Sequence, residues 1–186
     1  NNIAIGNNVL NSNTIGIGNI AIGSGAAASS TGTNYQVAIG YNALNASTAS
    51  SASVGIGVGA LQRNTTGIQN VSVGVSTLNY NTIGLRNTAH GAFALLYNTD
   101  GSYNTGLGNN SLYTNTTGAY NTGAGAVTLF KNTTGFYNTA VGYYSLYENT
   151  TGSYNDASGA NSLRENTIGS YNVAQGNGTL WSNISG

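Results

Sequence analysis

The chain has 186 residues, of which only 4% are charged, and its four basic and four acidic residues give a formal net charge of zero. With so few basic residues, the chain cannot form the basic surface that nucleic-acid-binding proteins and polybasic membrane-surface modules use, which argues against both classes. The absence of cysteine excludes disulfides and thiolate metal sites, and the absence of a long apolar run predicts no transmembrane helix.

From its first residues onward the chain repeats itself every 17 positions. A fixed short period without insertions or deletions indicates one structural unit stacked on copies of itself. We therefore assign residues 1–186 to a single repeat domain. The clearest marker is a glycine that closes a short apolar run in each of eleven copies: Gly6, Gly23, Gly40, Gly57, Gly74, Gly91, Gly108, Gly125, Gly142, Gly159 and Gly176.

The residues of the repeat favour strands and turns over helices. Segments such as "NIAIG" (19–23) and "NVSVG" (70–74) alternate β-branched and small residues and end at glycine, as short strands closed by turns do. Glycine, asparagine, threonine and tyrosine are poor helix formers. The sequence thus predicts an all-β β-solenoid, a parallel β-roll or β-helix of about eleven 17-residue coils, each with two or three short strands. At about 4.8 Å per coil, the rod would be roughly 50 Å long.

Stacked coils convert each repeated position into a ladder of equivalent side chains. In every copy but one, the fourth residue after the glycine is a leucine. The second residue before the glycine is always small. We expect both columns to face inward, with the leucines forming an apolar ladder. The invariant glycine predicts a positive φ or a close backbone approach at a corner. Asn-Thr-Thr-Gly phrases predict a second corner with stacked amides. The structural ladder residues on which we rely most are Gly91, Gly108, Gly125, Gly142, Leu95, Leu112, Leu129 and Leu146.

Two columns flanking the small one drift along the chain. They begin as aliphatic pairs such as Ile3 and Ile5, and later admit His90, Asp156 and Gln175. Because such polar side chains would be costly in a core, we expect these columns to face a subunit interface or solvent. Over the same later copies an exposed contact face is predicted, which could stack on sugars, pack against a partner or simply stabilise the coils; its members are Tyr103, Tyr120, Tyr137, Tyr154 and Tyr171.

Residues that could carry catalysis are few. His90 has no acid and nucleophile arranged around it in the repeat, as a triad would require. Glu148 and Glu165 share a column and could form a carboxylate pair, but Lys131 and Arg164 lie beside them, and a solvated charge cluster explains the set. The threonine column suggests ice binding as an alternative, although only one complete rank is present. We predict no enzyme activity and no cofactor or metal.

The phrases "NIAIGSGAAAS" and "QVAIGYNALNAS" resemble the head repeats of trimeric autotransporter adhesins, the YadA-like heads. Later phrases such as "YNTAVGYYSLYENTTG" are similar to repeats of tail-fibre and surface-fibre proteins of bacteria and phages. The resemblance spans the chain, although the 17-residue step is longer than the commoner adhesin-head step. It implies a β-roll that assembles as a homotrimer outside the cell, at the cell surface or on a virion fibre.

Together these patterns predict a non-enzymatic extracellular structural protein that forms a fibre or filament. The expected partner is the chain itself, as a trimer or as a head-to-tail filament. The alternative interpretation of the repeat that runs to both ends is that the segment is an excerpt of a longer fibre. The alternative function is an adhesin head or phage tail-fibre module that binds a host surface or glycans through its tyrosine face.

Overall fold

The structure, a computed structural model, describes every residue from Asn1 to Gly186 and contains a single parallel sheet. Each strand pairs with the next one along the chain in a register of 17 residues, for example Thr105 with Thr122. This architecture confirms the predicted β-solenoid. The strands are β1 (Ile3–Ile5), β2 (Ile20–Ile22), β3 (Val37–Ile39), β4 (Val54–Ile56), β5 (Val71–Val73), β6 (Thr88–His90), β7 (Thr105–Leu107), β8 (Thr122–Ala124), β9 (Thr139–Val141), β10 (Asp156–Ser158) and β11 (Val173–Gln175).

Each coil contains one three-residue strand, so the expectation of two or three strands per coil was wrong. Backbone hydrogen bonds nevertheless join the coils around the whole circumference, since only 20 of 122 lie within strands. In one coil the Leu112 and Thr116 amides donate to Thr128 and Thr133 of the next coil, at 2.8 and 3.0 Å. The Tyr120 amide donates to Ser102 of the preceding coil at 3.1 Å. The rest of the coil is therefore sheet-like in bonding but too sharply bent to be a strand.

The sharp bends come from left-handed backbone at three fixed positions of the repeat. The leucine column has φ values between 47° and 54°, and Tyr120 and Asn110 represent the other two columns with φ of 58° and 55°. Because a side chain in this region costs about 1–2 kcal/mol per residue, local preference cannot be the cause. The hydrogen bonds between coils impose the conformation.

The core is a narrow column in which polar side chains outnumber apolar ones. The leucines of the repeated column are fully buried from Leu44 to Leu163, and the alanines of the small column, such as Ala140, lie against them. Around this stripe lie buried asparagine, serine and threonine side chains. Burying so many polar groups is tolerable only if nearly all of them are hydrogen-bonded, which makes the polar ladders central to the fold.

Candidate functional site

The glycine column closes the corner that follows each strand. Gly125 has a φ of +134°, and a Cβ built there would lie 3.0 Å from the carbonyl carbon and oxygen of Gly142 in the next coil. Both physical reasons for glycine therefore apply at once, a positive φ and a close backbone approach. The other predicted members, Gly91, Gly108 and Gly142, have φ between 116° and 134°.

The Asn-Thr-Thr-Gly corner carries an uninterrupted ladder of amides from Asn64 to Asn183, which is buried as far as Asn166. Asn115 Nδ2 donates to Asn98 Oδ1 at 2.8 Å and to Gly118 O, across its own corner, at 2.9 Å. Asn115 Oδ1 accepts a hydrogen bond from Asn132 Nδ2 at 2.7 Å. Each amide thus closes its own turn and joins two neighbouring coils.

A second amide ladder, which was not anticipated from the sequence, runs one residue before each strand. Asn121 Nδ2 donates to Asn104 Oδ1 at 3.2 Å and to Gly135 O at 2.8 Å, while Asn104 Oδ1 also accepts the Asn121 backbone N–H at 3.0 Å. Gly135 O also accepts from Asn132 Nδ2 at 3.1 Å. The two ladders therefore meet at the same glycine carbonyl. The sequence does contain a signal for this second ladder, because its column is asparagine in every copy except at Gln36 and Ser53.

Two early coils replace the amide corner by a hydroxyl network. Gln36 Nε2 donates to Ser47 Oγ at 2.6 Å and to Ser50 Oγ at 2.8 Å, and its Oε1 accepts from Thr33 Oγ1 at 3.0 Å. The first ladder is consequently interrupted after Asn13, whose Oδ1 is the one buried side-chain nitrogen or oxygen without a partner. The longer Gln36 side chain compensates for the missing amides inside these coils but not for Asn13.

The predicted contact face is a stacked column of tyrosine rings. The Tyr120 ring lies 4.8 Å from that of Tyr103 and 4.7 Å from that of Tyr137, with interplanar angles of 6° and 9°. The stack continues through Tyr154 to Tyr171. Arg86 lies at the other end, 5.4 Å from the Tyr103 ring centroid. Interior rings therefore face one another and expose edges and hydroxyl groups, which leaves them without a free face for a sugar.

The charged residues lie beside a second aromatic column formed by Tyr113, Phe130 and Tyr147. Lys131 Nζ lies 2.6 Å from Glu148 Oε2, and this hydrogen bond raises the pKa of Lys131. The predicted charge cluster is only partly formed, because Arg164 does not pair with Glu165.

The other two charges of the predicted cluster, Arg164 and Glu165, contact aromatic side chains instead of each other. Arg164 lies 4.8 Å from the ring centroids of both Tyr144 and Trp181, and Glu165 Oε1 accepts a hydrogen bond from Trp181 Nε1 at 3.1 Å. Glu148 and Glu165 are thus each engaged by a different donor, and the structure does not arrange them as an acid–base pair.

Two further candidates from the sequence lie at the surface. His90 is exposed on the outer face of β6, between Val73 and Leu107 of the adjacent strands. In the threonine column, Thr116 Oγ1 donates to Thr133 O at 3.0 Å, and the bond recurs along the column. Because the hydroxyl proton is used between coils, this rank is poorly suited to ordering water. No group of three or more histidine, aspartate or glutamate side chains is placed to hold a metal ion.

The outer face of the first five strands is aliphatic. Its two ladders point away from the core, with Ile3, Ile56 and Val71 half exposed or nearly so, and neither ladder contains a charged residue there. We call this surface the aliphatic face; it consists of Ile3, Ile5, Ile20, Ile22, Val37, Ile39, Val54, Ile56, Val71 and Val73.

No protein-family model, curated protein or solved structure matches this chain. The structure also contains no helix long and apolar enough to cross a membrane. The geometry described above is therefore the basis on which a function is proposed.

Proposed function

We propose that this chain is a non-enzymatic structural protein whose stacked coils form a rod, and that copies of the rod associate into an extracellular or surface fibre. The observation that carries the proposal is the pair of amide ladders, which are continuous from Asn64 to Asn183 and from Asn70 to Asn172. Each ladder hydrogen bond joins one coil to the next, so a force along the rod is shared by many parallel bonds.

Resistance to unfolding follows from the same arrangement. Separating two coils breaks the strand pairing, the bonds of the corners and both amide contacts at once, and it leaves buried polar groups without partners. An unsatisfied buried group costs about 1–3 kcal/mol. A chain of such coils suits a mechanical role better than a catalytic one.

The aliphatic face supports association with further copies of the same chain. An exposed apolar patch of this regularity is unusual on a monomeric protein, and a net charge of zero provides no electrostatic repulsion between copies. A symmetric homo-oligomer can place the same face of each copy against its neighbours. The resemblance of the repeats to adhesin heads and tail-fibre repeats supports a location at the cell surface or on a virion.

Sedimentation velocity tests this assembly with a matched pair of variants. Replacing Ile20, Val37, Val54 and Val71 by threonine gives the first coils the residue that the same column carries from Thr88 to Thr139, so the fold should be retained. We expect this variant to sediment as a smaller species than the wild type. The control, Thr105→Ser with Thr122→Ser, should assemble normally. Equal sedimentation of wild type and first variant would remove the aliphatic face from the proposal.

The exposed tyrosine column favours a second function, contact with a host surface. Tyr103, Tyr120, Tyr137 and Tyr154 are 37–47% exposed and present their edges and hydroxyl groups at one coil spacing. Replacing Tyr120, Tyr137 and Tyr154 by asparagine, which tolerates their positive φ, should leave sedimentation unchanged and abolish adhesion to cells. Unchanged adhesion would exclude this role for the column.

A further inference from the structure

A groove open to solvent lies between coils six and eight, at the start of the second aromatic column. It encloses about 460 Å³ and is lined by Phe93, Asn109, Asn110, Tyr113 and Phe130. It arises because the column that holds Phe93 in coil six holds the smaller Asn110 in coil seven. A volume of several hundred Å³ is in the range of small-ligand sites.

The aromatic walls of the groove differ from the tyrosine column. Tyr113 and Phe130 stack on each other, with centroids 4.8 Å apart and an interplanar angle of 6°. Phe93 is 39% exposed and pairs with no other aromatic ring. No other aromatic ring covers Phe93, whereas each interior tyrosine of the column is covered by a ring on both sides.

The floor of the groove offers hydrogen-bonding groups without charge. Asn110 Nδ2 donates to Asn109 Oδ1 at 2.6 Å, and Asn109 Nδ2 donates to Ala92 O at 3.3 Å. Each amide keeps a second N–H, and Asn110 Oδ1 accepts no hydrogen bond within the protein. Burial raises the pKa of Tyr113, and a side-chain hydrogen bond with Tyr97 raises it further.

We infer that this groove binds a neutral saccharide, with one pyranose ring packed by its C–H face on Phe93 and its hydroxyl groups bonded to Asn109 and Asn110. The chemistry matches on each side, because a sugar combines an apolar face with hydroxyls that both donate and accept. No charged side chain lines the groove, which disfavours an anionic or cationic ligand. The inference does not depend on fibre assembly, since all five residues belong to one chain.

Nuclear magnetic resonance tests the site with three probes, namely the methyl glycosides of glucose, galactose and N-acetylglucosamine. We expect at least one of them to receive saturation transfer at its ring protons and to shift the side-chain amide signals of Asn109 and Asn110. Two variants keep the backbone preferences of their column. Phe93→Asn and Asn110→Gly introduce residues that other coils carry at the equivalent position, as at Asn42 and Gly59. Each variant should weaken binding of the glycoside about three- to tenfold.

Tyr144→Asn is the matched control, since Tyr144 occupies the same column at φ 57° and lies outside the groove. It should bind the probe as the wild type does. Absence of site-specific shifts with all three glycosides would overturn the inference. So would equal binding by Phe93→Asn, or binding of N-acetyltyrosinamide in place of every glycoside, which would make the groove a peptide site. Sedimentation is measured separately, so loss of this site and loss of assembly are distinguishable.

Discussion

At the scale of single residues, the unusual feature is the left-handed backbone of side chains that ordinarily avoid it. Leu112 has a φ of 54° and is fully buried. The cost of that conformation is offset by the burial of its side chain, worth about 1.5–3 kcal/mol, and by its backbone bond to the next coil. Exposed residues at equivalent φ make a backbone bond between coils but lack the contribution from burial, and they are places where stability can be gained.

Ala52 is an exposed residue of this kind, with a φ of 53°. Asparagine adopts the left-handed region more readily than alanine because its short polar side chain bonds locally. Ala52→Asn should therefore raise the free energy of unfolding, by about 0.5–1 kcal/mol. Denaturant titration measures the change, and a decrease would show that the column does not carry strain.

Gly125 tests the opposite case, a position that excludes any side chain. Gly125→Val would combine an unfavourable φ with a contact against the Gly142 carbonyl group, and we expect a loss of about 3 kcal/mol or more. The control is Gly106→Ala in the small column. A Cβ there would lie 3.4 Å from Ser111 O and 3.5 Å from Leu95, ordinary contacts, so its melting temperature should change little. Equal melting of Gly125→Val and wild type would refute the assigned role of the glycine column.

At the scale of the coil, the asparagine of the corner and the glycine three residues later occur together. A Cβ at Gly118 would collide with Asn115 Oδ1 and with the Gly135 carbonyl oxygen. The pairing is followed throughout the chain, for where the asparagine is replaced by Ser30 or Ser47 the glycine is replaced by Thr33 or Ser50. The corner is thus a two-residue unit.

A double-mutant cycle measures this coupling. Asn115→Ser and Gly118→Ser should each destabilise the chain by about 1–3 kcal/mol. The double variant should cost less than the sum of the two by at least about 0.5 kcal/mol, because serine leaves room beside residue 118. Asn115→Ser combined with Gly67→Ser, three coils away, should be additive. Additivity in the adjacent pair would mean that the two residues are independent.

Much of the coil could be predicted from the sequence because its columns are regular. Period, fold class, the inward position of the leucines and the need for glycine at Gly125 all follow from a side chain repeated at one spacing. The left-handed leucines could not be predicted, since local preference opposes them and only bonds between coils impose them. The Asn121 ladder was visible as a column, but its burial depends on the path of the coil. The stacking that covers the faces of the tyrosine rings could not be predicted either. It results from centroid distances of 4.7–5.2 Å between rings of adjacent coils, which the fold determines.

At the scale of the whole molecule, the rod divides into two halves with different surfaces. The first five strands carry the aliphatic face, whereas the later coils carry the tyrosine column, the groove at Phe93 and the Lys131–Glu148 ion pair. The amide ladders are continuous beneath the later coils, whereas beneath part of the aliphatic face the Gln36 hydroxyl network replaces them. In the proposed fibre, the aliphatic face would contact other copies while the surface of the later coils would stay accessible.

Electron microscopy of the purified chain in negative stain tests most directly the central claim, that this protein is a self-associating rod. We expect elongated particles about 50 Å in length for one chain of eleven coils, joined side by side or end to end into trimers or longer fibres. A field of compact particles, without trimers or longer fibres, would contradict the claim. So would sedimentation of the wild type as a single small species at the same concentration.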